Sequence, residues 1–202
     1  MNTQFKPTLV GFNHINRYWD KQKERVVAKI LPGEVYVTKQ NEFISTVLGS
    51  CISACIYDFK MGVGGMNHFM LPVNPNEEIN SLSCRYCNWA MDYLINEIVK
   101  YGGNRDNFKI KVFGGGKIIN GVGDVGESNI LFISDYLKTE GLEVESYDVG
   151  GPWPRKVLFN PTTGKALIKR LRSMHNETIK KREVKYLHEI KANDNQTDIE
   201  LF

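Results

Sequence analysis

The alternation of apolar and polar residues predicts a chain whose first third is mostly strands and whose helices come later. Short runs with a period of two, or with an excess of β-branched and aromatic residues, are typical of strands. The predicted strands are residues 34–39, 43–48, 52–57, 63–71, 108–113, 142–149, 155–160 and 165–170. The third of these runs is apolar at nearly every position, so a short helix is also compatible with it. The last two strands are predicted to form a hairpin across the P-T-T-G turn.

A helical repeat is clearest at residues 84–101. Its apolar residues fall largely on one face, and Gly102 follows them as a stop signal. A second helix is predicted at residues 128–140, with Ser128 as its N-cap. A short amphipathic helix is predicted within residues 19–30, ending before the L-P-G breaker.

The end of the chain is charged with both signs, which predicts one exposed, solvated helix. Val184, Leu187 and Ile190 offer the alternative of a narrow apolar docking stripe.

Together, these elements predict an α+β fold with mixed β-sheets and helices packed on one side. We divide the chain into an N-terminal appendage at residues 1–30, one domain at residues 31–171, and a charged C-terminal tail at residues 172–202.

Composition narrows the classes of protein that the chain can belong to. Its 202 residues suffice for one core. A net charge of +3 without a long basic face argues against nucleic-acid binding. No apolar run reaches the roughly 18 residues of a spanning helix, and the N-terminus lacks the apolar core of a signal peptide. We therefore expect a cytoplasmic protein without membrane insertion, and four reduced cysteines, Cys51, Cys55, Cys84 and Cys87.

The candidate chemistry is concentrated in one stretch of the predicted strands. Cys51 follows a Gly-Ser pair that allows a sharp turn, and the backbone N–H groups of Ser50 and Cys51 at such a turn can stabilise an oxyanion. His68 interrupts an apolar run, where an imidazole is costly. Ser45 and Thr46 add hydroxyls, so a nucleophile, a base and an orienting group are all present. The competing interpretation is a buried, inert thiol and a structural histidine.

A zinc site is one alternative. Cys84 and Cys87 have the C-x-x-C spacing, and Cys51 and Cys55 could complete four ligands. However, one pair opens a helix and the other lies in an apolar strand, whereas zinc knuckles usually lie in turns.

A dinucleotide-dependent oxidoreductase is another alternative. Residues 121–126 match G-x-G-x-x-G, and Asp148 follows at about the 20-residue distance of that fingerprint. The preceding strand ends at Phe113, too early for this motif, and a second βα unit is hard to find. The G-G-G-K run before it lacks the spacing of a phosphate loop. The simplest interpretation of residues 114–126 is a mobile, glycine-rich surface loop, which can also contact a partner.

Several runs match one known pattern together. They are S-T-V-L-G-S-C ending at Cys51, G-G-M-N-H-F-M-L-P around His68, F-G-G-G-K, V-G-E-S-N-I, and the long run from D-V-G-G-P-W-P-R to A-L-I-K-R. These residues resemble the CheD family of bacterial chemoreceptor glutamine deamidases, over residues 31–171. The spacing of 17 residues between Cys51 and His68 matches as well. The resemblance implies a three-layer α/β/β sandwich, similar in fold to deamidating bacterial toxins and in residue roles to papain-like thiol hydrolases.

The resemblance also implies roles for the site residues. Cys51 would be the nucleophile and His68 the general base. The third residue of the family is a threonine six positions before the cysteine; here that position is Ser45, and Thr46 follows it. Either hydroxyl is therefore a candidate to orient His68.

The implied function is hydrolysis of specific glutamine side chains in chemotaxis receptors to glutamate, through a thioester on Cys51. A γ-methyl glutamate ester would form the same acyl-enzyme. No metal or organic cofactor is expected. The expected partners are the helical cytoplasmic regions of chemoreceptors, and the alternative is a binding module that regulates a CheC-type chemotaxis phosphatase.

Overall fold

The computed structural model describes residues 5–71, 82–118, 125–171 and 176–194. Within these ranges the chain forms ten strands in two sheets and three α-helices. The strands are β1 (Asn16–Asp20), β2 (Arg25–Lys29), β3 (Val35–Thr38), β4 (Phe43–Leu48), β5 (Ile52–Asp58), β6 (Val63–Asn67), β7 (Lys109–Gly114), β8 (Val144–Val149), β9 (Arg155–Phe159) and β10 (Ala166–Arg170). The helices are α1 (Leu82–Lys100), α2 (Val125–Thr139) and α3 (Asn176–Asp194). None of the helices in these ranges has the length and apolar character needed to span a membrane.

The first sheet has the strand order β1-β2-β4-β9-β10. β2 and β4 run parallel, and the other neighbours are antiparallel. The central strand, β4, has five buried residues out of six. Both faces of this strand are therefore shielded from solvent along most of its length.

The second sheet has the strand order β3-β6-β5-β7-β8. β7 and β8 run parallel, and α2 lies between them in the chain as the crossover that a parallel pair requires. All seven residues of β5 are buried, as expected for a central strand covered on both faces.

The two sheets pack face to face, and helices cover the other face of the second sheet. Tyr57 of β5 and Phe159 of β9 meet edge to face between the sheets, with ring centroids 6.0 Å apart. On the helical side, a Cβ at Gly65 of β6 would lie 2.8 Å from Leu94 Cδ1 of α1, so the helix packs directly on the strand. The predicted α+β, three-layer α/β/β sandwich with mixed sheets is confirmed.

The N-terminal region differs from the prediction. Residues 16–29 form the β1–β2 hairpin rather than a helix, and β2 pairs with β4 inside the first sheet rather than lying outside it. The turn is favoured by Asp20, whose side-chain oxygen accepts the N–H groups of Gln22 and Lys23. Val27 is fully buried in β2, and this burial outweighs a weak helical pattern.

The other predicted elements are present with shifted ends. The ambiguous apolar run is strand β5, not a helix. α2 begins at Val125, before the predicted N-cap Ser128. The predicted C-terminal hairpin is formed by β9 and β10.

The C-terminal helix is present as α3, but it is not the solvated helix that its charges predict. Ile179, Glu183 and Leu187 are buried and lie on one face, since residues four apart are neighbours on a helix. Of the three residues of the predicted apolar docking stripe, Leu187 is buried against the rest of the protein, whereas Val184 and Ile190 are only half-buried. The buried carboxylate of Glu183 needs hydrogen-bond partners, and the backbone N–H groups of Gly49 and Ser50 provide them.

Phe159→Ala should lower the free energy of unfolding by about 3–5 kcal/mol, because it leaves a cavity between the two sheets. Ile168→Ala in β10 is the control, since Ile168 is 38% exposed, and it should cost no more than about 1 kcal/mol. Urea unfolding followed by circular dichroism measures both. Equal losses would contradict the packing of the sheets around this ring.

Candidate active site

Cys51 lies in the short connection between the two sheets. β4 ends at Leu48 and β5 begins at Ile52, so three residues carry the chain from one sheet to the other. Cys51 is fully buried, and its Sγ lies 3.8 Å from Met70 Sδ. Anchoring at both ends leaves this connection little conformational freedom.

The glycine-rich segment after β7 supports the connection. The N–H of Gly115 donates to the Cys51 carbonyl oxygen at 2.8 Å, and the N–H of Gly116 donates to the Gly49 carbonyl oxygen at 2.6 Å. At Gly114, φ is +119° and a Cβ would lie 2.0 Å from the Cys51 carbonyl oxygen. Only glycine fits such a conformation and such an approach.

The prediction of a mobile surface loop at residues 114–126 is therefore wrong for residues 114–116, which are buried. Most of the G-x-G-x-x-G run lies outside the described residues. Asp148, the acidic residue of that fingerprint, forms ion pairs with Arg155 at 3.0 Å and with Arg170 at 3.1 Å. These contacts give the carboxylate a structural role that needs no nucleotide.

Asn129 of α2 ties together the segments that carry the two predicted catalytic residues. Its Nδ2 donates to the carbonyl oxygen of Ser50 at 2.9 Å, and its Oδ1 accepts the N–H of Leu71 at 2.7 Å. The side chain is fully buried. Asn129 thus fixes the chain next to Cys51 and close to His68.

His68 follows β6 and reaches from the second sheet to the first. Its N–H donates to the Glu34 carbonyl oxygen at 3.0 Å, and its own carbonyl oxygen accepts the N–H of Gly33 at 2.7 Å. Its Nδ1 lies 2.8 Å from Thr46 Oγ1. A ring nitrogen of His68 lies within 4.8 Å of Cys51 Sγ. The fold therefore brings the predicted thiol and imidazole together.

The hydrogen bonds of Thr46 determine which nitrogen of His68 carries the proton. The Thr46 hydroxyl has one hydrogen, which it donates to the carbonyl oxygen of Ile30 at 2.9 Å. Its oxygen must then accept the Nδ1–H of His68. Nε2 keeps its lone pair, is buried, and has no hydrogen-bond partner among the described residues. The neutral imidazole is thus preset with Nε2 as its basic nitrogen.

Of the two predicted hydroxyls, Thr46 and not Ser45 meets the imidazole. Successive residues of a strand point to opposite faces, so Ser45 faces away from His68. The sequence alone left this choice open because the two hydroxyl residues are adjacent.

A carboxylate from α3 closes the site. Glu183 accepts the N–H of Gly49 at 2.7 Å and the N–H of Ser50 at 2.8 Å, with the N–H of Cys51 at 3.5 Å. The Ser50 hydroxyl also donates to this carboxylate, at 2.7 Å. Consecutive backbone N–H groups that converge on one anion are the arrangement of an oxyanion hole. We call the N–H groups of residues 49–51 the N–H cradle. The sequence predicted the N–H groups of Ser50 and Cys51 as donors; the structure adds the N–H of Gly49 and shows that the Glu183 carboxylate occupies the cradle.

Residues 49 and 50 form a bend, as the sequence suggested, and Gly49 also provides space there. Its φ is not among the positive values. A Cβ at Gly49 would lie 2.7 and 2.8 Å from the two carboxylate oxygens of Glu183 and 2.0 Å from Ile118 Cδ1. The missing side chain leaves room for an oxygen atom at the cradle.

Burial and charge keep the thiol and the imidazole neutral while α3 is in place. Desolvation raises the pKa of Cys51 well above its usual range, and the negative charge of Glu183 raises it further. Desolvation lowers the pKa of His68 to about 3, with an additional contribution from the positive charge of Arg182. The site therefore holds a thiol beside a neutral imidazole, not a thiolate–imidazolium pair.

Cys51, His68 and Glu183 are also the one group of described side chains that could hold a metal ion, because one ligand atom of each lies within 4.8 Å of the others. Both carboxylate oxygens already accept N–H groups of the cradle. Such a cradle attracts anions and repels cations. The contacts thus favour an anion site over a metal site.

The cysteines of the alternative zinc site behave as core residues where they are described. Cys55 and Cys87 are both buried, and neither belongs to the group of described side chains that could hold a metal. Burial raises the pKa of Cys55, as expected for an inert thiol. The side chain of Cys84 lies outside the described part of the chain.

Glu183 and Asn129 are the residues of the site that sequence reasoning missed. Glu183 lies within a run of charges, and only its spacing of four from Ile179 and Leu187 distinguishes it. Asn129 lies in the V-G-E-S-N-I run on the buried face of a helix, where a polar residue without a partner would be costly. Both signals are weak without knowledge of what the helices face.

Comparisons with known proteins find relatives over nearly the whole chain. The family described as CheD chemotactic sensory transduction matches residues 70–170. A Hahella chejuensis protein named probable chemoreceptor glutamine deamidase CheD is 48% identical over 198 residues, which cover 96% of this chain and 94% of its own. Proteins of the same name from Halorhodospira halophila and Methylobacillus flagellatus are 50% and 47% identical, covering 96% and 93% of this chain and 93% and 95% of their own.

Thr46→Val should lower the free energy of unfolding by about 1–3 kcal/mol, because it leaves the Nδ1–H of His68 buried without an acceptor. ¹⁵N NMR of the imidazole should show that the single Nδ1–H tautomer is lost. Ser45→Ala is the matched control, with a smaller loss of stability and the wild-type tautomer. A wild-type imidazole spectrum in Thr46→Val would contradict the hydrogen bond.

Proposed function

This chain belongs to the CheD family, and we propose that it is a protein-glutamine glutaminase that converts specific glutamines of methyl-accepting chemotaxis receptors to glutamate. One observation carries the proposal. A thiol, an imidazole and converging N–H donors meet at Cys51, and the group held by the donors is a carboxylate, like that of the product. The names of the relatives support chemoreceptors as the substrate class.

The reaction begins when Nε2 of His68 takes the proton of Cys51. A free thiol has a pKa of about 8.5, so an adjacent base is needed at neutral pH. Thr46 holds the imidazole by its other nitrogen. The thiolate attacks the side-chain amide carbon of the glutamine, the S–C bond forms, and the carbonyl electron pair moves onto oxygen. The N–H cradle stabilises this oxyanion, and each donor of such a site is worth about 10²–10³-fold in rate.

Collapse of the tetrahedral intermediate breaks the C–N bond. The imidazolium of His68 gives its proton to the departing nitrogen, which leaves as ammonia, and a thioester with Cys51 remains. Nε2 then takes a proton from water, and the hydroxide attacks the thioester carbon. The C–S bond breaks, Cys51 regains its proton, and glutamate is released. Atoms and charges balance without a metal or an organic cofactor.

The same thioester would form from a γ-methyl glutamate ester, with methanol leaving in place of ammonia. A methylesterase side activity at receptor methylation sites is therefore part of the proposal.

The partner in this function is the helical cytoplasmic region of a chemoreceptor. The protein would meet it in the cytoplasm, without inserting into the membrane and without nucleic acid. A binding-only role as regulator of a CheC-type phosphatase has less support, because a docking surface alone does not need Cys51, His68 and Thr46 to be aligned in a buried site.

Incubation with a receptor cytoplasmic fragment should raise the mass of particular tryptic peptides by about one dalton per converted glutamine. Cys51→Ala should slow this conversion by about 10³-fold or more, since it removes the nucleophile. Cys55→Ala is the matched control, because Cys55 is also a buried thiol but lies outside the group formed by Cys51, His68 and Glu183. It should keep most of the activity.

Full conversion by Cys51→Ala would contradict thiol catalysis. Binding of the receptor fragment without any mass change would favour the adaptor role over the enzyme.

A further inference from the structure

Resting on the proposed function, we infer that α3 occupies the groove that receives the substrate helix, with Glu183 in the place of the glutamate product. The C-terminal helix is then a tethered competitor of the receptor. Substrate enters only when α3 leaves.

The position of Glu183 is the first support. Its carboxylate accepts hydrogen bonds from the N–H cradle, and a carboxylate oxygen lies within 4.8 Å of Cys51 Sγ. A glutamine delivered on a helix in the same register would bring its amide carbon to the same sulfur. Deamidation converts that glutamine into the side chain that Glu183 already presents.

Apolar contacts on either side of Glu183 define the groove. Ile179, four residues before it, packs in a cluster with Ile118 and Val47. Leu187, four residues after it, is 3% exposed and joins the main core. If the substrate uses this groove, a modified glutamine should lie on a helix with apolar residues four positions before it and four positions after it.

Polar contacts fix the register of the docked helix. Tyr186 Oη lies 2.7 Å from Tyr86 Oη of α1, and Arg182 donates to the carbonyl oxygen of Val47 at 3.0 Å. At Gly33, a Cβ would lie 2.9 Å from Tyr186 Oη. The φ of Gly33 is +85°, which itself favours glycine, and the missing side chain also leaves room for Tyr186, as that of Gly49 does for Glu183.

The outer face of α3 makes its departure feasible. Lys185 and Glu189 pair with each other across one turn, with side chains 79% and 56% exposed. An exposed, charged face contributes little to docking. The helix is therefore held mainly by the few contacts of its inner face, and such segments open at a fraction of the global unfolding free energy.

The docked helix also suppresses the chemistry. Cys51 and His68 are almost completely buried, so no external glutamine can reach them. The Glu183 charge adds to burial in raising the pKa of Cys51. Departure of α3 removes both the cover and the negative charge.

Glutamate should hold α3 better than glutamine does. Both carboxylate oxygens accept N–H groups, whereas an amide has one acceptor oxygen and an NH₂ that would face a donor. An amide NH₂ and a backbone N–H that face each other in a buried site both lack an acceptor, which is unfavourable. Glu183 is therefore suited to inhibit, and a glutamine at this position is suited to react.

The test uses the full-length chain with Glu183→Gln. Cys51 should attack the new amide, release ammonia through His68, and hydrolyse the thioester with water, which restores glutamate. Chymotryptic peptides that contain position 183 should gain about one dalton, at a rate independent of protein concentration. If the introduced glutamine has already been converted to glutamate when the protein is isolated, the peptide has the wild-type mass, and this result supports the inference equally. The double variant Glu183→Gln, Cys51→Ala and the exposed-face variant Glu189→Gln should show no gain.

A second measurement uses the receptor fragment as the external substrate. Glu183→Ala removes the bonds to the cradle and should raise the rate of receptor deamidation roughly tenfold over wild type. Leu187→Ala weakens docking without touching the cradle and should also raise it. Circular dichroism of both variants should show the wild-type sheet signal.

Different results would overturn the inference about α3 and the proposed deamidase function. Receptor deamidation by wild type together with an unchanged glutamine in Glu183→Gln overturns the inference and leaves the proposed function. An unaltered receptor rate in both Glu183→Ala and Leu187→Ala also overturns the inference. No deamidation of the receptor fragment by any variant, and none at position 183, overturns the proposed function itself.

Discussion

The site depends on the backbone of residues 49–51, whose N–H groups converge on one point. This segment is the short connection between two sheets, so its path is fixed by β4 on one side and β5 on the other. Gly115 and Gly116 satisfy its carbonyl groups, and Asn129 binds the carbonyl oxygen of Ser50. With its acceptors used, the segment has its donors free for an anion, which in this structure is the Glu183 carboxylate.

The sandwich supplies the rest of the geometry of the proposed active site. His68 directly follows β6 of the second sheet and Thr46 lies in β4 of the first, and the hydrogen bond between them joins the two layers. The spacing of two packed sheets therefore sets the orientation of the imidazole. Because the Thr46 hydroxyl is committed to the Ile30 carbonyl oxygen, the tautomer of His68 is set before substrate arrives. In the proposed reaction, a base that is already oriented lowers the reorganisation that proton transfer requires.

Much of this could be predicted from the sequence, and what could not has physical reasons. Most of the strands, the long helix α1 and the pairing of Cys51 with His68 follow from local periodicity and from motifs, whereas periodicity left β5 open between a strand and a short helix. The N-terminal hairpin does not follow from them, since the burial that favours it arises only when β2 pairs with β4. The choice of Thr46 over Ser45 depends on which face of a strand meets the other sheet. Glu183 could not be found because it lies more than 130 positions from the N–H groups that bind it, in a helix whose charges suggest solvent. Periodicity describes single elements, whereas these features arise between elements.

The central claim is that Cys51 carries the acyl group during deamidation. The most direct measurement is to quench the reaction with acid during turnover of a glutamine-containing receptor peptide and to map the mass of the enzyme. We expect an adduct equal to the peptide minus ammonia, attached to the fragment that contains Cys51 and removed by hydroxylamine. Formation of glutamate at the full rate, with Cys51 unmodified at every time point, would contradict covalent thiol catalysis.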